Sequence, residues 1–302
     1  MPRVSRTTAS EPCSAQQSER IGPTAHYTAY VWHRLGLPYA RHLSTRRGAA
    51  LYWGFFALGE WTTRLLPAVP SMREYLEYRH RLIDAVVEQL GPGCVVELGA
   101  GLTPRAVRWA VDRGVPGIEL DLPGMARAKR QRLERMPASA RARLRSLHAV
   151  HDADVLDPGF ATMLADIIGD RPRPVVVAEG LLSYFDPAPR QRVLDAVAYA
   201  LRRVGGGALV CDLHTARAQA EVGMAAHALR GAIRGLTRRR RALDPFVDLD
   251  AMARAFAEAG FDGWDEARPQ AHVRAQPRLA RLRSPAHVVV GRVGLMGQGT
   301  LS

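Results

Sequence analysis

The sequence predicts an α/β fold: a Rossmann-like sheet of seven mainly parallel strands with an antiparallel terminal strand, preceded by a helical N-terminal cover. Three observations carry that prediction. From Cys94 onward, short apolar runs alternate with stretches of helical period, the signature of a parallel sheet covered on both faces. The run "VVELGAGLTPRAV" (95–107) passes from a strand through Gly99 and Gly101 straight into a helix. The last two apolar runs have no helical pattern between them, so one of them is expected to run antiparallel.

Taken in order, residues 1–20 lack the apolar stretch of a signal peptide and read as a disordered tail. Residues 21–90 form the cover. Ten aromatic residues from Tyr27 to Tyr75 fall on short helical stretches broken by Gly36, Pro38, Gly54, Gly59, Pro67 and Pro70. "REYLEYRHRLIDAVVEQL" (73–90) is a clearer helix, striped by Leu76, Ile83 and Val87 and stopped by Gly91-Pro92-Gly93. Residues 91–302 form the core. Strands are predicted at "CVVEL", "GIELDL", "SLHAVHDA", "PVVVAEGL" and "GALVCDLH", with a helix after each of the first four. An arginine-rich excursion (216–243) follows, then helix "DLDAMARAFAEAG" and the pair "FDGWDEAR" and "AHVVVGRVG". A dinucleotide dehydrogenase usually offers six parallel strands; seven strands ending this way are expected of a class I methyltransferase.

Composition excludes more than it selects. The formal net charge is +13, yet Lys129 is the only lysine among 42 basic residues and asparagine is absent, a bias that fits GC-rich coding. The basic residues are scattered apart from "RRRR" (238–241), read as a solvated loop, so a nucleic-acid partner is not indicated. Cys13, Cys94 and Cys211 show neither zinc-site nor disulfide spacing. The longest apolar run, "AALYWGFFALG" (49–59), is too short to span a bilayer. A cytoplasmic protein without membrane attachment is expected, and its oligomeric state is open.

In an open parallel sheet, ligands sit beyond the carboxyl ends of the strands. The first strand presents Glu97, Gly99, Ala100 and Gly101 there. A pyrophosphate fingerprint would continue to a third glycine, but that position holds Pro104, and an acid beside the loop would repel a diphosphate. A cofactor carrying an ammonium and a sulfonium suits the loop better, which points to S-adenosyl-L-methionine. Asp121, twenty residues beyond Gly101, ends the second strand ahead of Leu122 and is placed to accept ribose hydroxyls; helix capping is the alternative. Asp154 and Val155 are expected beside an adenine ring, and Glu179 at the tip of the fourth strand. His151, Asp152 and Asp154 do not suggest a metal site, because neighbouring strand residues face opposite ways.

The segments "VVELGAGLTPRAVRWA", "IELDLPGMARAKR" and "VVVAEGLLSYFD" resemble the leucine carboxyl methyltransferase family, and more closely its bacterial branch of O-methyltransferases associated with polyketide biosynthesis. "PTAHYTAYVWHRLGL" and "RHRLIDAVV" are similar to that branch's N-terminal segments. The resemblance covers residues 21–215 well and the remainder loosely. It implies that Arg79 pairs with the carboxylate of the methionine portion, a role that suits a bidentate guanidinium. It also implies that Gly99 and Glu179 lie near that portion, that Glu97 is the acid opening the glycine motif, and that Asp121, Asp154 and Val155 hold the nucleoside.

The acceptor implied is a small, polyketide-like molecule bearing a carboxyl or hydroxyl oxygen. A tRNA base side chain, a protein C-terminal carboxyl, or a catalytically silent role are the alternatives. A carboxylate is ionised at neutral pH and needs no base, whereas a hydroxyl gains from one. His214, just past the fifth strand, and Tyr184, after the fourth, are the catalytic candidates. His26, Tyr27 and Tyr30 are the substrate-contact candidates, with packing as the competing role for each.

Overall fold

A computed structural model describes residues 13–57, 71–221 and 244–294, with side-chain surroundings for residues 22–57, 71–218 and 244–294. The cover comprises helices α1 (Cys13–Arg34), α2 (Ala40–Leu43), α3 (Arg46–Ala57) and α4 (Met72–Leu90). Helix α1 therefore begins inside the span read from sequence as a tail, of which residues 1–12 lie outside the described residues. Residues 13–20 contain neither glycine nor proline, so the sequence offers nothing to break α1 there. Trp61, the end of the 49–59 run and most of the 216–243 excursion, "RRRR" included, also lie outside the described residues.

Ser71 and Glu74 start α4 with a reciprocal capping box, in which each side chain accepts from the other's backbone N–H. Such a cap stabilises a helix by about 1 kcal/mol. It fixes the register of the helix that carries Tyr75, Arg79, His80 and Asp84. Gly91, in the left-handed region, ends it.

The core alternates as expected: β1 (Cys94–Leu98), α5 (Arg105–Arg108, continued by a π turn to Arg113), β2 (Gly117–Asp121), α6 (Pro123–Leu133), α7 (Ala138–Leu147) and β3 (His148–Asp152). There follow α8 (Phe160–Ile168), β4 (Pro174–Ala178), α9 (Pro187–Arg203), β5 (Gly207–His214), α10 (Ala216–Glu221), α11 (Leu249–Glu258), β6 (Gly263–Glu266), α12 (Pro269–His272) and β7 (Ala286–Val293). The strand order is β3-β2-β1-β4-β5-β7-β6. Strands β1 to β5 are parallel, and β7 pairs antiparallel with both β5 and β6. This is the class I methyltransferase sheet. Two features depart from the sequence reading: α7 takes Ser146 and Leu147 from the predicted third strand, and short helical turns, including α12, separate β6 from β7.

Strand alternation sorts the core into two layers. Val96, Leu98, Val176, Leu209 and Val289 pack with α8, α9 and α11 on one face. Val95, Val175, Val177, Val210 and Val288 pack with α4 on the other. Strand order reverses between β1 and β4, so the crevice opens beyond their carboxyl ends. The cover lies over it: Tyr27, Val31, Trp32, Tyr52 and Leu76 form one apolar cluster joining α1, α3 and α4. Among the described residues, no helix is long and apolar enough to cross a membrane.

Candidate active site

Two adjoining cavities open at the reversal point and share Ala25, Gly99, Gly101, Gly180 and Tyr184 in their walls. The smaller, of about 680 Å³, lies over the tips of β1 and β2, with Asp121, Leu122, Asp154, Val155 and Leu181 around it. The larger, of about 1190 Å³, runs under the cover. Its walls include Tyr27, Trp32 and Phe55, and at the floor Arg79, Glu179 and Asp212.

The smaller cavity is shaped by backbone in the left-handed region, which favours glycine. Gly99 has φ +59°, and a Cβ there would meet the Leu181 side chain at 2.9 Å. Gly180 has φ +64°, and a Cβ there would meet the Arg79 guanidinium at 2.9 Å. Asp121 holds the loop between β1 and α5: its Oδ2 accepts from Gly101 N–H at 2.6 Å and its Oδ1 from Leu122 N–H at 2.7 Å. Burial nevertheless raises its carboxyl to about 6, against the pull of those two donors. Asp154 turns the chain after β3 by accepting from Leu156 N–H at 3.0 Å.

Beneath the larger cavity lies a buried charge network. Arg79 donates from Nε to Glu179 Oε1 at 3.1 Å and from Nη1 to Asp212 Oδ2 at 3.4 Å. Glu179 Oε2 also accepts from Arg105 Nη2 at 2.7 Å, and lies 2.9 Å from His80 Nδ1. Arg105 continues to Asp84 at 2.5 Å and Glu97 at 2.9 Å. Burial works to raise the Glu179 carboxyl, but His80, Arg105 and Arg79 outweigh it and hold it well below the usual range. Asp212 goes the other way, because burial prevails over Arg79 and the Gly180 N–H. Arg79 is thus shared between two carboxyl groups at that floor.

At the far wall, His214 Nε2 lies 3.1 Å from the Tyr75 hydroxyl and Nδ1 lies 3.2 Å from Ser183 Oγ. The Tyr75 ring stacks on the imidazole with centroids 6.0 Å apart, and Arg79 Nη1 donates to its hydroxyl at 3.4 Å.

Most of the residues chosen from sequence meet here. Gly99, Gly101, Asp121, Leu122, Asp154 and Val155 line the smaller cavity; Ala100, Arg79, Glu179, His214 and Tyr27 line the larger; Tyr184 borders both. Three lie elsewhere. Glu97 is buried below the loop, where it pairs with Arg105 and accepts from Ala106 N–H at 3.1 Å; alternation puts it on the Val95 face, away from the crevice. His26 turns to Thr45 Oγ1 at 3.1 Å, tying α1 to the start of α3. Tyr30 packs on Tyr52 and His33. The expected acceptor contacts at His26 and Tyr30 are therefore helix-to-helix contacts.

Sequence reading passed over Arg105, His80, Asp84, Tyr75 and Ser183. His80 and Asp84 are four apart on α4 and so share a face, which is a readable signal. Arg105 opens the helix after the glycine loop. Only the fold shows that it meets four partners.

A family model described as leucine carboxyl methyltransferase matches residues 37–198, just over half of the chain. A protein of Mycobacteroides abscessus, provisionally named an S-adenosyl-L-methionine-dependent methyltransferase, is 29% identical over 172 residues, 53% of each chain. One of Mycobacterium avium with the same name is 35% identical over 103 residues, 34% of this chain and 31% of that one. The chain thus spans about half or less of the length of these curated relatives. Among solved structures, a DUF574 family protein from Streptomyces avermitilis shares the fold, with TM-score 0.56 at 15% identity over 89% of this chain and 96% of its own. An O-methyltransferase family protein from Burkholderia thailandensis gives TM-score 0.49 at 18% identity over 92% of this chain and 73% of its own.

Proposed function

The chain belongs to the leucine carboxyl methyltransferase family, and on that premise we propose that it transfers a methyl group from S-adenosyl-L-methionine to an oxygen of a small-molecule acceptor. One observation carries the reading. Asp121 keeps a half-buried carboxylate at the mouth of a glycine-shaped cavity although burial raises its pKa to about 6. A group held against its own solvation preference, and facing a void, fits a hydroxyl-rich ligand.

The other residues fit the same donor. Asp121 has lone pairs left for ribose hydroxyls, and Asp154, Val155 and Leu181 offer an acceptor and apolar walls for a purine. Arg79 would meet the carboxylate of the methionine portion, and Glu179 with Asp212 its ammonium. When bound, the donor supplies a methyl carbon on a sulfonium, already an activated leaving group. The chain's task is then orientation and exclusion of water. The rigid Arg79–Glu179–Arg105 network holds the floor, and the aromatic cover shields the acceptor side. Titration calorimetry with S-adenosylhomocysteine tests the proposal: micromolar binding is expected, lost in Asp121→Ala, and no binding to the wild-type protein would refute it.

A further inference from the structure

We propose that the acceptor is a neutral hydroxyl compound, not a carboxylate, and that a Ser183–His214–Tyr75 chain takes its proton. The inference rests on the methyl-transfer reading above and narrows it.

Two observations carry it. The first is the wall of the larger cavity. Among its described lining residues, Arg79 is the one guanidinium or ammonium, and it is shared between Glu179 and Asp212. The rest of the lining is dominated by Tyr27, Trp32, Phe55, Met72 and Leu76. An acceptor carboxylate entering there gives up its hydration and meets, among the described residues, no guanidinium or ammonium beyond the Arg79 already assigned to the donor's own carboxylate, which is costly. A flat neutral ring loses little and gains aromatic contact.

The second observation is the relay itself. The hydroxyls of Thr28 and Thr103, also in this wall, are committed to the Thr24 and Ala25 carbonyls and to Glu97. Ser183 instead pairs with a ring nitrogen, at 3.2 Å from His214 Nδ1. Behind the imidazole, Tyr75 meets Nε2 at 3.1 Å and is itself anchored by Arg79. A hydroxyl, an imidazole and a phenol in sequence form a path for one proton. A carboxylate acceptor, ionised at neutral pH, brings no proton for it.

In the step, the acceptor O–H bond breaks and its proton passes to Ser183 Oγ, whose own proton moves to His214 Nδ1. The electron pair freed on the acceptor oxygen forms the new O–CH3 bond. The C–S bond of the donor breaks with its pair remaining on sulfur. The products are a methyl ether, a neutral thioether and an imidazolium that returns its proton to water. Ser183 and His214 are the catalytic residues, and Tyr75 positions the imidazole.

The test uses the full chain with sinefungin, whose amine carries the positive charge of the sulfonium, and two chromophoric probes, 4-nitrophenol and 4-nitrobenzoate. Calorimetry first measures sinefungin binding. Absorbance then reads how much bound 4-nitrophenol is phenolate. The proposal expects a phenolate band with the apparent pKa of the bound phenol lowered by about one unit, as a nearby base and its imidazolium produce. It expects 4-nitrobenzoate to bind at least about tenfold more weakly. Ser183→Ala, a small change at a half-buried site, should reverse that lowering and shrink the band at a fixed pH while sinefungin affinity is kept; Tyr75→Phe should reverse it in part. Tighter binding of 4-nitrobenzoate, no binding of 4-nitrophenol, or an unchanged band in Ser183→Ala with sinefungin bound would overturn the hydroxyl proposal alone. Failure of the wild-type protein to bind sinefungin would instead remove the methyl-transfer reading, and this inference with it.

Discussion

Replacing Asp121 by asparagine separates what this residue costs the fold from what it gives the ligand. Its carboxyl sits at about 6 in the folded chain against an ordinary value of 3.8, with burial as the leading cause. The folded state therefore binds more protons than the unfolded state between those values, and wild-type stability falls as pH rises through that window. At roughly 1.36 kcal/mol per unit, the full penalty is about 3 kcal/mol and is present above pH ~6. About half of it, roughly 1.4 kcal/mol, develops between pH 5 and pH 8. Asparagine carries no charge and escapes this term. It can accept from only one of the two N–H donors, a loss of about 1–3 kcal/mol that does not vary with pH.

Denaturant unfolding of both proteins at pH 5 and pH 8 isolates the charge term, because the constant loss cancels. The variant should gain about 1.4 kcal/mol on the wild type between pH 5 and pH 8. At pH 8, S-adenosylhomocysteine should bind the variant about a hundredfold more weakly, since hydrogen bonds to a charged group contribute about 1.5–3 kcal/mol each. A stability difference that is flat with pH would refute the burial argument. Unchanged affinity would refute the assignment of Asp121 to the ligand.

Other outcomes follow from the same geometry. Affinity of the wild-type protein for S-adenosylhomocysteine should fall about tenfold between pH 7 and pH 5, because the carboxylate form of Asp121 is the acceptor; calorimetry across that range checks it. Arg105→Met strands Asp84, Glu97 and Glu179 without their shared cation and should lower stability by about 3–5 kcal/mol in urea unfolding. Gly180→Ala puts a Cβ on the Arg79 guanidinium at a left-handed φ; it should cost about 1–3 kcal/mol in the same assay and weaken ligand binding.

The fold was legible because it rests on periodicity. Val95/Val96 and Val175/Val176 sort to opposite faces by alternation alone, and Gly99, Gly101 and Asp121 mark the crevice by spacing. Alternation places Glu97 on the face of Val95, away from the ligand, and the spacing of the glycine motif does not carry that information. The charge network was not legible. Arg105, Asp84, His80 and Glu179 come from a helix before the first strand, a helix after it and the tip of the fourth strand, and their meeting is a product of topology. His26 and Tyr30 look like their neighbour Tyr27 in sequence. Helix rotation decides which of them reaches the cavity: all three touch α3 or the residue before it, and of the three Tyr27 also lines the cavity.

A crystal structure with S-adenosylhomocysteine tests the central claim most directly. The account predicts the ribose hydroxyls on Asp121, the adenine beside Asp154 and Val155, the ligand carboxylate at Arg79, and the sulfur facing the larger cavity near Ser183. A ligand seated away from the tips of β1 and β2, or with its sulfur turned from that cavity, would contradict it.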